Sequence, residues 1–260
     1  MANLFCKQAD KYAATRPSYP PELFQYIASK TPNHDLAWDV GTGSGQAAVS
    51  LAKMYKNVVA TDTSEEQLSH APKLPNVTYI HTPDPTHSLS DLHVADPSTV
   101  DLITVAQALH WFDLPTFYAQ ARSLLKCHVG VLAVWCYTLA EVDPAVDSVF
   151  RRVYTCAEPY WAPERRTVED EYRGIDFPFD PVDGEEGTGP VNFAAESAMD
   201  LETFLTYVRS WSAYQTAQEK GVELLTERTV GDFLKAWGGD GSAVKVVTFP
   251  IFLRIGKVRD

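Results

Sequence analysis

Asp39-Val40-Gly41-Thr42-Gly43-Ser44-Gly45 is the segment of this 260-residue chain whose residue types and spacing point most directly to chemistry. Glycines let backbone amides approach a ligand closely and permit positive φ in a tight turn. A nicotinamide-type GxGxxG fingerprint would need a small residue at position 46. Gln46 stands there, so docking of a dinucleotide pyrophosphate is disfavoured. No GK[ST] follows, which excludes a P-loop. Asp39, ahead of the first glycine, repels phosphate and suits an ammonium instead. Asp62, 17 residues after Gly45, can accept bonds from both hydroxyls of a ribose. His110 is the next candidate. An unperturbed imidazole titrates near ~6.5 and can take a proton from a hydroxyl or an amine. Flanked by Leu109 and Trp111, it reads equally as a packing residue at a pocket edge.

The elements that must position these residues alternate in type. Leu36–Val40 is an apolar run that ends at the glycines, and residues 46–55 carry apolar positions at helical spacing. Strand patterns follow at 57–61, 77–80, 101–106 and 129–137. Thr63 or Ser64 offers an N-cap to a helix beginning near Glu66, and 117–125 reads as the helix before the fifth strand. Strands separated by helices imply parallel pairing with right-handed crossovers. The rhythm changes after 138. Residues 144–157, 201–214 and 230–237 read as helices, 159–189 as an irregular surface excursion rich in Pro, Gly and acids, and 244–255 as a closing strand.

The glycine segment followed by Asp62 resembles motifs I and II of the class I S-adenosylmethionine-dependent methyltransferases. The resemblance extends through Val105-Ala106-Gln107-Ala108-Leu109-His110-Trp111-Phe112 and an N-terminal Tyr12-x-x-x-Arg16-Pro17-x-Tyr19-Pro20 element. Together these are similar to the small-molecule branch that includes trans-aconitate methyltransferase. The match is good over residues 5–137. Beyond them it rests on Ser210-Trp211-Ser212 and the terminal strand. Two departures stand out: Cys127-His128-Val129-Gly130 replaces a Pro-Gly-Gly turn, and Thr82-Pro83-Asp84-Pro85 replaces an Ala-Glu pair near the adenine.

The resemblance implies a Rossmann-like, doubly wound α/β fold with a seven-stranded, mostly parallel sheet, a helical N-terminal segment and a C-terminal lid insertion. It divides a single domain, 1–260, into a cap (1–29), a core (30–137), a lid and substrate region (138–243) and a closing strand (244–256). S-adenosylmethionine is the implied cofactor, with S-adenosylhomocysteine as product. The cofactor-binding set is Asp39, Gly41, Gly43, Gly45, Asp62 and Thr63, with Asp84 at the adenine amino group, Ala106 and Gln107 at the end of the fourth strand, and Tyr12 and Arg16 from the segment folded over the site. Tyr19, His110, Trp111 and Trp211 are the expected acceptor-facing residues, with Phe112 as wall and Tyr214 beside Trp211. Arg16 could hold a carboxylate of either the cofactor or the acceptor. His110 is the one catalytic candidate.

Composition narrows the partners. The net charge of −12 repels polyanions, so nucleic acid is not expected. No apolar run approaches the ~20 residues that span a bilayer, and residues 1–7 lack a secretory h-region. Four cysteines without CxxC spacing read as reduced thiols in the cytoplasm, and no metal-ligand cluster is visible. The expected activity is methyl transfer to a small molecule, with a carboxylate as the acceptor, by a monomer or homodimer. The alternatives are a natural-product hydroxyl or amine as acceptor, or a cofactor-binding protein without turnover.

Overall fold

The computed structural model describes residues 18–82 and 94–259. A seven-stranded sheet runs in the order β3-β2-β1-β4-β5-β7-β6. Its strands are β1 (Leu36–Val40), β2 (Asn57–Asp62), β3 (Val77–His81), β4 (Leu102–Ala106), β5 (Val131–Tyr137), β6 (Val191–Met199) and β7 (Lys245–Lys257). β1 to β5 pair in parallel, and β7 runs antiparallel to β5, from Val131↔Lys257 to Tyr137↔Ile251. Between them lie α1 (Pro21–Ser29), α2 (Gln46–Leu51), α3 (Glu65–Ser69) and α4 (Leu114–Leu124). Every residue of β5 is buried, which explains its unbroken apolar run: a parallel strand covered on both faces needs no polar alternation.

The chain divides into two compact units. The first holds 19–138, 166–193 and 251–260, and its core gathers Trp38, Val105, Phe117, Tyr118 and Val134. Residues 166–193 overturn the expectation of a surface excursion. Val168, Tyr172, Phe177 and Phe179 belong to this same core, so the acid-rich stretch delivers large apolar side chains inward.

The second unit holds 139–165 and 194–250, with α5 (Pro144–Ala157), α7 (Leu201–Arg209), α8 (Ser212–Glu219) and α9 (Glu227–Ala236); α6 (Arg165–Glu169) begins at the boundary. Asp143 caps α5 by accepting from the N–H groups of Ala145 and Val146. The expected single helix over 201–214 is two. Ser210 ends α7 with its hydroxyl donating to the Tyr207 carbonyl at 2.6 Å, and Trp211 turns extended before α8. None of the described helices is long and apolar enough to cross a membrane.

Candidate cofactor site

Parallel pairing of β1 with β2 sets Val40 opposite Thr61, so the glycine turn leaves the sheet beside Asp62. The N–H groups of Gly41 and Thr42 both donate to the Thr61 carbonyl, at 2.9 and 3.0 Å. Asp62 then closes the turn from the other side. Its Oδ2 accepts from the Gly43 N–H at 2.7 Å and its Oδ1 from the Ser64 N–H at 2.9 Å. Ser64 caps α3 through Gln67. Gly41, Gly43 and Gly45 all have positive φ, at 67°, 57° and 82°. They differ in what a side chain would meet. A Cβ at Gly41 would lie 2.7 Å from Ala108 Cβ, and one at Gly45 2.7 Å from the Tyr79 hydroxyl. At Gly43 the nearest atom is Gln67 Oε1, at 4.0 Å. Two of the glycines therefore permit close packing of the protein on itself, while at the third a side chain would meet only ordinary contact.

Asp39 is fully buried, and its carboxylate accepts from Thr42 Oγ1 at 2.5 Å and Thr104 Oγ1 at 2.6 Å. The residue thereby ties the turn to β4. Burial pushes its pKa up to about 6, and the Asp62 charge adds to the rise, while the two threonine hydroxyls pull it down. A carboxyl whose pKa is higher folded than unfolded stabilises most below its unfolded value, and that contribution is lost as pH rises through about 6. Asp39→Asn abolishes this titration. Its unfolding free energy relative to the parent is expected to rise by about 2 kcal/mol between pH 4 and 7. Denaturant unfolding at both values checks this; a difference that does not change with pH would contradict it.

The turn after β4 packs on the glycine loop through the approach of Ala108 to Gly41. Ala106 ends β4 opposite Trp135, and Gln107, at φ 57°, carries the ladder one step further. Its N–H donates to the Trp135 carbonyl at 2.8 Å. Its amide accepts from the Tyr137 N–H at 2.8 Å and donates to the Tyr137 carbonyl at 3.2 Å. The Gln107 side chain is thus spent on β5. His110 and Trp111 follow in one 3₁₀ turn with ring centroids 4.7 Å apart. His110 Nδ1 lies 3.1 Å from the Tyr172 hydroxyl.

Tyr172 has no counterpart among the sequence candidates. It follows Asp170 and Glu171, a context that reads as surface, yet it is 0% exposed.

The other candidates are placed as follows. Thr63 offers its carbonyl to His81 Nε2 at 3.2 Å. Tyr19 sits edge-on to Trp135 at 5.3 Å. Trp211 and Tyr214 lie in the second unit. Trp211, 2% exposed, is ringed by Phe150, Tyr154, Trp161 and Tyr207, so packing accounts for its placement there. The Tyr214 hydroxyl donates to Glu223. Tyr12, Arg16 and Asp84 lie outside the described residues.

A family described as a methyltransferase domain matches residues 38–155, the stretch from β1 into α5. A Dictyostelium discoideum protein named as a methyltransferase is 36% identical over 256 residues, 95% of this chain and 91% of its own length. A Saccharomyces cerevisiae protein named as an S-adenosylmethionine-dependent methyltransferase is 28% identical over 78% of each chain. The solved structure of an Anaeromyxobacter dehalogenans protein, described as a type II methyltransferase, superposes with a TM-score of 0.79 at 34% identity, covering 93% of this chain and 97% of the other. With relatives this similar over nearly its whole length, the chain belongs to the class I S-adenosylmethionine-dependent methyltransferases, and S-adenosylmethionine is its cofactor.

Proposed function

We propose that the chain methylates a carboxylate of a small molecule, using the glycine turn and Asp62 as the cofactor cradle. The fit to the cofactor rests on the uncrowded Gly43, where a Cβ would meet no atom nearer than Gln67 Oε1 at 4.0 Å, beside a carboxylate that a ribose diol can approach. In this reading Asp62 holds the ribose hydroxyls, the backbone of Gly41–Gly45 and of Ala106–Gln107 lines the cradle, and the buried charge of Asp39 favours the cofactor's ammonium. When bound, S-adenosylmethionine supplies a methyl group already activated by its sulfonium. The chain must then position a nucleophile, and well-oriented encounters alone can supply ~7–11 kcal/mol.

The carboxylate assignment is carried by one observation, the approach of His110 Nδ1 to the Tyr172 hydroxyl. A phenol is the better donor of this pair and an imidazole nitrogen the better acceptor, so the favoured arrangement has Tyr172 donating to Nδ1. The ring proton then sits on Nε2. Such an imidazole offers an N–H to an anionic oxygen rather than a lone pair to an acidic proton. A carboxylate needs no base, because it is already ionised at neutral pH. The reverse arrangement, with Nδ1 donating, would make Nε2 a base and favour a hydroxyl or amine acceptor.

His110→Gln keeps a donor at this position. It is expected to lower turnover less than about tenfold, with the same pH–activity profile in both proteins. A loss of ~10²–10⁴-fold, with an inflection in the parent's pH–rate profile that vanishes in the variant, would instead make His110 a general base and overturn the carboxylate reading.

A further inference from the structure

The segment that carries Tyr172 is held in an uncommon way. Glu171 and Tyr172 both adopt left-handed backbone, at φ 58° each, a conformation that non-glycine residues rarely take. The Tyr172 N–H donates to the Thr167 carbonyl at 3.0 Å, and the turn drives its ring into the core. From β7, Arg254 reaches into the same region, only 8% exposed. Its Nη1 donates to the Tyr172 carbonyl at 2.7 Å, its Nη2 to Thr188 Oγ1 at 2.9 Å and its Nε to the Thr188 carbonyl at 3.2 Å. The guanidinium also lies 5.1 Å from the centre of the Phe177 ring. Burial lowers its pKa, the direction expected when a charge is taken out of water. These hydrogen-bond partners are neutral, so the planar fork acts as a geometric clamp rather than as half of an ion pair.

We infer that Tyr172, clamped by Arg254 from β7, is a positioning residue that holds His110 in the Nε2–H tautomer and so presents a hydrogen-bond donor to the methyl acceptor. The tautomer of a histidine is set by the bond its other nitrogen makes. At Nδ1 the partner is Tyr172, on a segment well over fifty residues downstream, held in turn by Arg254. A route thus runs from the closing strand of the sheet to the proton on one ring nitrogen. It rests on His110 facing the acceptor, but the tautomer can be read without any acceptor present.

The test is long-range ¹H–¹⁵N correlation of histidine-labelled full-length protein, above the imidazole's titration range, with His110→Gln identifying the resonances of His110. The parent is expected to show Nδ1 unprotonated and hydrogen-bonded, and Nε2 protonated. Tyr172→Phe preserves the buried ring and removes only the hydroxyl. It should shift the tautomer ratio about fivefold toward Nδ1–H, the factor that one net hydrogen bond supplies. Arg254→Lys, which keeps the charge but loses the fork, should move the ratio the same way. If that variant does not fold, Thr188→Val, which removes one acceptor of the clamp, carries the same expectation to a smaller extent. A parent already in the Nδ1–H form would overturn the inference, as would one whose ratio survives Tyr172→Phe. A ratio unmoved in a folded clamp variant would remove Arg254 from it. A product that proves not to be a methyl ester would leave these tautomer results standing, so the two readings fail separately.

Discussion

Asp62→Ala is expected to weaken binding of S-adenosylhomocysteine by about 1.5–3 kcal/mol, roughly ten- to a hundredfold, in a protein that still folds. The carboxylate sits at the tip of β2, half-buried, with one oxygen on the Gly43 N–H and the other on the Ser64 N–H. Those bonds leave acceptor capacity on both oxygens, since a carboxylate offers about four lone-pair sites. Burial raises its pKa, opposed by the N–H groups of Gly43, Ser64 and Thr63 and by the charge of His81. Its affinity for a diol should therefore fall on the acid side sooner than for an ordinary aspartate. Alanine removes the ligand contact and also frees two backbone donors, so thermal melts must accompany the calorimetry. Unchanged affinity in a folded variant would remove Asp62 from the cofactor site.

The second large effect is expected at Gly43. Valine there places a β-branched residue at φ 57°, where non-glycine backbone costs roughly 1–2 kcal/mol, and adds bulk beside the turn. Cofactor binding should become undetectable. Gly43→Ala separates the two causes, because its single methyl meets only ordinary contact with Gln67; its loss should be intermediate. The neighbouring glycines should behave differently. A Cβ at Gly41 or Gly45 meets protein atoms at 2.7 Å, so alanine at either should lower the melting temperature before it alters affinity. If all three alanine variants lost stability equally and affinity not at all, Gly43 would be a structural glycine only.

Much of the first unit was legible because its residues obey local rules. The apolar runs of β1 and β5, the Ser64 cap and the positive-φ glycines are each specified by near neighbours in the chain. Asp62 could be found because β2 must end beside the turn that follows β1. What escaped depended on distant partners. Tyr172 is marked by nothing in its own segment, and only the core and Arg254 explain why an acid-rich stretch turns inward. β6 escaped for a different reason. Its alternating face includes Ala195 and Ser197, residues too small or polar to register as an apolar period. The break at Ser210 was hidden because both flanking helices continue the same spacing, and the serine's own hydroxyl stops the first one. Gln107 was found as a strand-end residue, yet its side chain answers to Tyr137, thirty residues on.

The most direct test of the proposed reaction is the chemistry of its product. The purified protein would be incubated with methyl-labelled S-adenosylmethionine and a panel of small acceptors bearing carboxylate, hydroxyl or amine groups. Products would then be treated with mild alkali. A methyl ester releases its label as volatile methanol under these conditions, whereas a methyl ether or methylamine keeps it. Label transferred to a carboxylic acid and released as methanol is the predicted result. Label that withstands alkali on a hydroxyl or amine acceptor would contradict the carboxylate assignment.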